Sequence, residues 1–180
     1  FLAGETVKLF FGLSLEQRAI LKDDLRREIH LGVNGLEESV ARAPNSLRVF
    51  NLLGLLYQLE GKYYDQNSYQ KAETVLRRSL HLNPQNQQAY WPLAAVLFDQ
   101  DRREEALDLL DEAIALNPDN ADSHLKKLVF YKLTGQEETF TSYATWIMEM
   151  FPTASVQTSL RNFMSVSATD EKDWLYTVFY

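Results

Sequence analysis

The stretch LNPQNQQAY at residues 82–90 returns as LNPDNADSH at residues 116–124, so Leu-Asn-Pro-x-Asn recurs after 34 residues. Proline lacks the N–H that a helix interior needs, and asparagine caps helix starts. The phrase therefore reads as the end of one helical pair and the start of the next. A turn recurring at this interval is the mark of a repeat array. The prolines give the ruler: Pro84, Pro118 and Pro152 are spaced by 34 and 34, and Pro44 precedes Pro84 by 40, one period plus six residues.

Aligned on these prolines, FNLLGLLYQLEGKY supplies Phe50, Leu53, Gly54, Tyr57 and Gly61, and YQKAETVLRRSLHLNP supplies Ala72, Leu76 and Ser79. The next block supplies Tyr90, Leu93, Ala94 and Leu97, then Ala106, Leu110 and Ala113. Gly54 and the alanines let two antiparallel helices approach closely, while Tyr57 and Leu97 fill the space between pairs. The arrangement resembles the tetratricopeptide repeat family, in which helix pairs stack because none buries its apolar stripe alone. The resemblance implies an all-α solenoid of antiparallel helix pairs, with two clear repeats, one or two degenerate flanking repeats and terminal capping helices.

It divides a single helical-repeat domain, 1–180, as follows. Residues 1–46 form N-terminal helices and a degenerate repeat. Residues 47–86 are a repeat with a six-residue insertion, and 87–120 a regular one. Residues 121–154 are degenerate, with Lys127-Leu128, Phe140 and Ile147 where smaller residues are expected. Residues 155–180 are a C-terminal cap or docking segment, in which ASVQTSLRNFM reads as one more helix. Residues 14–31 read as one amphipathic helix and 34–43 as a second, opened by Asn34 and Glu37. Asp101 reads as a helix cap, as do Asn86 and Asn120. The extra six residues fall in the turn around Tyr63, Tyr64 and Tyr69, and Pro92 should delay or kink its helix.

Composition narrows the function. With 46% hydrophobic and 24% charged residues the chain is no disordered tail. Its net charge of −7, and basic runs no longer than pairs, disfavour nucleic acid as a partner. No apolar run is long enough for direct membrane insertion of this segment. Without cysteine, disulfides, zinc thiolates and cysteine nucleophiles are excluded. No phosphate loop, nucleophile elbow or paired-histidine motif occurs. His30, His81 and His124 are isolated, and the latter two read as surface residues near turns. The expectation is a chain without catalysis, cofactor or metal.

The resemblance places the binding surface on a concave groove lined by the first helix of each pair. In the first strong block this gives Asn51, Leu55, Gln58 and Leu59. The next gives Trp91, Ala95 and Phe98, and the third Leu125, Val129 and Lys132. Lys and Asn at the positions that grip a peptide's terminal carboxylate are missing. The groove is apolar, which suits an amphipathic helix or an apolar extended segment of a protein or peptide partner. The aromatic end, with Trp174, Tyr176, Phe179 and Tyr180, either packs on this domain or docks on another chain. Homo-oligomerisation through such ends is a version of the same reading, and VKLFFGL near the N-terminus poses the same choice.

A second resemblance is looser. Asp65, Ala72 and the Asn83-Pro84-x-Asn86-Gln87 phrase are similar to soluble repeat extensions of bacterial membrane polymerases and ligases of the O-antigen type. It implies an accessory domain of a glycan-assembly enzyme, in a bacterial extracytoplasmic or envelope location. A cytoplasmic location stays open. The chain begins at Phe1 rather than methionine, which points to a processed or excised product.

Overall fold

The computed structural model describes residues 22–165. Eight α-helices follow one another in these residues: α1 (Lys22–Arg42), α2 (Leu47–Tyr63), α3 (Ser68–Leu82), α4 (Tyr90–Asp99), α5 (Arg103–Leu116), α6 (Ala121–Leu133), α7 (Glu137–Met150) and α8 (Ala154–Ser165). A 3-10 turn at Gln87–Ala89 leads into α4. Helices α2/α3, α4/α5 and α6/α7 pair, each pair rests on the next, and α2 also meets α4 directly. Helix α1 rests on α2, and α8 closes the far end against α6 and α7.

The first helices are started by the residue types that the repeat phrase carries. The side-chain oxygens of Ser46, Asn86 and Asn120 accept hydrogen bonds from the N–H groups of Val49, Gln88 and Asp122 at 3.4, 3.0 and 3.1 Å. Each supplies an acceptor to a donor that has no partner within the helix. Small residues then set the helix spacing. Ala72, Ala94, Ala106 and Ala113 have no exposed surface. A methyl group on Gly54 would stand 2.6 Å from the Leu76 side chain, so only glycine permits α2 and α3 to lie this close.

Four readings are corrected. Residues 22–42 are one continuous helix, not two separated before Asn34. Leu25, Ile29 and Val33 bury one face, and Leu36 and Val40 prolong it, so the stripe runs unbroken past Gly32 and Gly35. Residues 14–21 of the longer expected helix lie outside the described residues.

The six extra residues are not confined to a turn. Four lengthen α2 beyond the span of the later first helices, one lengthens the turn and one lengthens α3. The longer helix carries Tyr64 to α1, where its hydroxyl donates to the Lys22 carbonyl at 2.6 Å. Tyr69 lies across Gly61.

Asp101 does not cap α5. It adopts φ +62°, and its carboxylate pairs with Arg103 at 2.8 Å. One period later Gly135 takes the same left-handed conformation, at φ +70°. Both close a turn in which the next residue's N–H bonds back five residues, Arg102 to Leu97 and Gln136 to Tyr131.

His124 is buried rather than at the surface, as described below. Pro92 behaves as expected: the 3-10 turn precedes α4, and Pro92 falls in the first helical turn, where its missing N–H costs nothing. The residues of the degenerate third pair that depart from the pattern are used in its core, with Leu128, Phe140 and Ile147 all buried.

Candidate functional site

Helices α2, α4 and α6 carry the ten groove candidates, and two kinds of environment divide them. Leu55, Gln58, Leu59, Trp91, Ala95, Leu125 and Val129 are buried, with exposures of 9% or less. Asn51, Phe98 and Lys132 are half-buried. These three reach toward neighbouring helices. Asn51 accepts from the Ser79 hydroxyl on α3 at 3.4 Å, Phe98 meets Phe130 edge-on at 4.8 Å, and the Lys132 ammonium lies 5.2 Å over Phe140. The ten candidates thus run from α2 to α6, seven of them buried and three partly open to solvent. Trp174, Tyr176, Phe179 and Tyr180 lie outside the described residues.

Polar groups within the row tie one repeat to the next. Gln58 donates to Asp99 at 2.7 Å, from α2 to α4. The Trp91 indole N–H donates to the Ser123 hydroxyl at 3.2 Å, from α4 to α6. The Lys126 ammonium stands 4.8 Å over the Trp91 ring. Burial pushes that amine down to about 8, with the nearby Asp122 carboxylate acting the other way. Among the described residues no buried side-chain nitrogen or oxygen lacks a hydrogen-bond partner, so the row is held by satisfied contacts rather than strained.

Beside the row, the repeat phrase builds a second recurring contact. The Tyr90 hydroxyl donates to the Pro84 carbonyl at 2.9 Å, and one period later His124 Nε2 meets the Pro118 carbonyl at 2.8 Å. A carbonyl only accepts, so Nε2 carries a proton, and Nδ1 pairs with the Tyr143 hydroxyl at 2.6 Å. The His124 ring lies against Tyr143, Trp146 and Phe151 at centroid distances of 5.9, 4.9 and 5.3 Å. Both ring nitrogens are engaged in structure, which leaves neither for catalysis. The signal for this was present in the spacing, since His124 occupies the phase of Tyr90.

On the outer side, Glu73 of α3 gathers Arg102 at 2.6 Å, Arg77 at 2.7 Å and Gln100 at 3.2 Å. Burial opposes the charge on Glu73, but hydrogen bonds from Arg102, Arg77 and Gln100 outweigh it and hold the carboxyl below the ordinary range. This cluster joins consecutive pairs and presents no reacting group. Among the described residues no group of three or more histidine, aspartate or glutamate side chains is placed to hold a metal ion. No helix among them is long and apolar enough to cross a membrane.

Comparison with known proteins agrees with this architecture. Residues 63–129 match the family model described as tetratricopeptide repeat. No curated protein matches the chain. Among solved structures, a thermophilic TPR protein of Thermus thermophilus is similar over 91% of both chains, at 18% identity and a TM-score of 0.64. MamA is similar over 88% of both chains, at 19% identity and a TM-score of 0.53. A mutant O-GlcNAc transferase of Thermobaculum terrenum is similar over 83% of this chain but 27% of its own, at 20% identity and a TM-score of 0.56. At these identities the likeness is one of fold, and it carries no activity across. None of these three is described as a membrane polymerase or ligase, so they do not bear on the second resemblance. The described residues fold as an all-α solenoid of antiparallel helix pairs, similar to solved TPR proteins, and residues 63–129 match the tetratricopeptide repeat model.

Proposed function

We propose that this scaffold receives an apolar or amphipathic segment of a protein partner along the inner row of α2, α4 and α6. The observation that carries the reading is the continuity of that row. Leu55, Leu59, Trp91, Ala95, Leu125 and Val129 come from three successive first helices and form its buried floor, while half-buried Asn51, Phe98 and Lys132 keep it reachable from solvent. Gln58–Asp99 and Trp91–Ser123 hold the helices in register beneath it. An apolar row of this length favours a ligand with anchors spaced along one face, as a helix or strand provides. Trp91 is the natural anchor, because large aromatic side chains carry a disproportionate share of interface energy.

The test is selection of short random peptides against the full chain, followed by binding to variants. The expected winners are amphipathic or apolar. Their affinity should fall about tenfold or more for Trp91→Ala and stay unchanged for Thr145→Arg on the outer face of α7. Circular dichroism and cooperative urea unfolding show whether Trp91→Ala retains the fold. Winners that are charged throughout, or that bind a folded Trp91→Ala chain unchanged, would move the surface elsewhere.

A further inference from the structure

We infer that the outer edge of the third helix pair is a second interaction surface. It is built on Trp146 and Met150 of α7 and takes a segment of another protein that carries basic residues beside apolar ones. The inner row of α2, α4 and α6 lies elsewhere, and the inference does not depend on it. The starting point is exposure. Trp146 is 38% and Met150 57% exposed, and their spacing of four residues puts them on one face of α7. Among the described residues no other tryptophan or phenylalanine is exposed.

The repeat shows that the fold does not call for an indole here. Six residues before Pro84, Pro118 and Pro152 stand Arg78, Glu112 and Trp146. Each lies by a ring near the start of its pair's first helix. The Arg78 guanidinium is 5.2 Å over Phe50, and Trp146 is 4.9 Å from His124. Tyr90 titrates above its ordinary value, through burial first and the nearby Glu112 carboxylate second. A charged side chain thus fills this phase in the first two pairs, and only the third turns an aromatic ring outward. Tyr143 stacks on Trp146 at 5.4 Å and 11°, and Phe151 meets it edge-on at 6.1 Å. A ring held on these sides loses little freedom when a partner arrives, which suits an interface anchor.

Charge selects the partner. Helix α7 carries Glu137, Glu138 and Glu149 and no basic residue. On α5, Glu104, Asp108 and Glu112 are exposed, and Arg103 is that helix's only base. Asp119 is exposed beside Pro118, whose carbonyl His124 holds. Lys127 lies over Tyr143 but is committed to Asp111. An apolar anchor among acids is complementary to a segment that brings lysine or arginine alongside its apolar residues. The same acids repel nucleic-acid phosphates and anionic lipid. A two-fold contact between copies of this chain would set the acids against themselves.

The probes are amphipathic helical peptides with leucine on one face and either lysine or glutamate on the other, plus a scrambled lysine peptide. Each is labelled and titrated with the full chain by fluorescence anisotropy. The lysine peptide should bind at least about tenfold tighter than the other two and lose about tenfold with Trp146→Ser. Met150→Lys, at an exposed position that the core does not use, should weaken it comparably and keeps the test valid if Trp146→Ser does not fold. Glu112→Gln with Glu149→Gln should weaken it several-fold and flatten its dependence on salt.

Equal binding of the lysine and glutamate peptides, or of the scrambled one, overturns the inference, as does no binding to the parent chain. Undiminished binding to Met150→Lys and to folded Trp146→Ser reduces the effect to net charge and overturns it too. A loss confined to Trp91→Ala moves the peptide to the inner row, so this surface falls while the proposed function stands. Sedimentation velocity covers the remaining occupant: self-association of the parent that Met150→Lys disperses assigns the edge to a second copy and overturns the inference.

Discussion

Asn120 Nδ2 donates to Gln87 Oε1 at 2.5 Å, while Gln87 Nε2 donates to the carbonyls of Ala113 at 2.6 Å and Asn117 at 2.9 Å. One buried amide thus joins the start of one repeat to the last turn of α5 and to the cap of α6. The two carbonyls belong to the end of α5, where the Asn117 carbonyl also accepts from the Asn120 N–H at 3.2 Å. Gln87→Leu keeps the side chain's bulk and removes all three bonds. It should lower stability by about 1–3 kcal/mol, because the Ala113 carbonyl and the Asn120 amide lose their partner. Urea unfolding followed by circular dichroism measures this. A loss no greater than that of an exposed substitution such as Gln85→Leu would show that water replaces the amide.

Two glycines make opposite predictions under the same substitution. An added Cβ at Gly54 meets three atoms of Leu76 between 2.6 and 2.9 Å, and Leu76 is fully buried. Gly54→Ala should cost about 1–3 kcal/mol from overpacking, more than the helix propensity that alanine restores. At Gly35, inside α1, nothing lies within 4 Å of the added methyl. Gly35→Ala should therefore stabilise by about 0.5–1 kcal/mol. Paired thermal melts of the two variants decide both.

Asp101 and Gly135 occupy the same phase of successive repeats and share the left-handed conformation. A residue with a Cβ is strained there by about 1–2 kcal/mol, and aspartate by less. Asp101→Gly should raise stability by about 0.5–1 kcal/mol, since its pairing with Arg103 is exposed and worth little. Gly135→Ala, with open space around the new methyl, should lower stability by about 1–2 kcal/mol through the backbone alone. Equal effects of the two substitutions would contradict this account of the turn.

The pH dependence of stability should show Glu73. Burial raises its carboxyl pKa, the partners Arg102, Arg77 and Gln100 lower it further, and the net value falls below the ordinary 4.5. The folded state thus favours the charged form relative to the unfolded chain. That stabilisation is complete above about pH 4.5 and is lost as the pH drops through the lowered folded value. Glu73→Gln should be less stable than the parent by about 1–3 kcal/mol near neutral pH. The gap should narrow in acid. A gap that is constant between pH 7 and pH 3 would place the effect in packing.

Most of the fold was legible because the period is written in residues with strong local chemistry. Pro84, Pro118, Asn86 and Asn120 act within a few residues of their own positions, and Gly54 and the alanines mark close approach wherever they stand in a pair. The misread parts depend on more distant partners. Asn34 resembles a cap, but the stripe through Ile29, Val33 and Leu36 continues past it and the helix follows the stripe. Asp101 resembles a cap until the turn preceding α5 is closed by its positive φ. His124 resembles a surface histidine until Tyr143 and Trp146 of the next helix, and Phe151 just after it, close round it. The residue types expected to line a groove can be read on the first helices, but the burial of seven of the ten cannot, because burial depends on what lies opposite, and no local spacing records that.

The central claim is that the inner row of first helices is the binding surface. Amide hydrogen exchange of the full chain, with and without a selected peptide, tests it most directly. The account predicts added protection in α2, α4 and α6, with α3, α5 and α7 little changed. Protection confined to the second helices, or absent at saturating peptide, would contradict it.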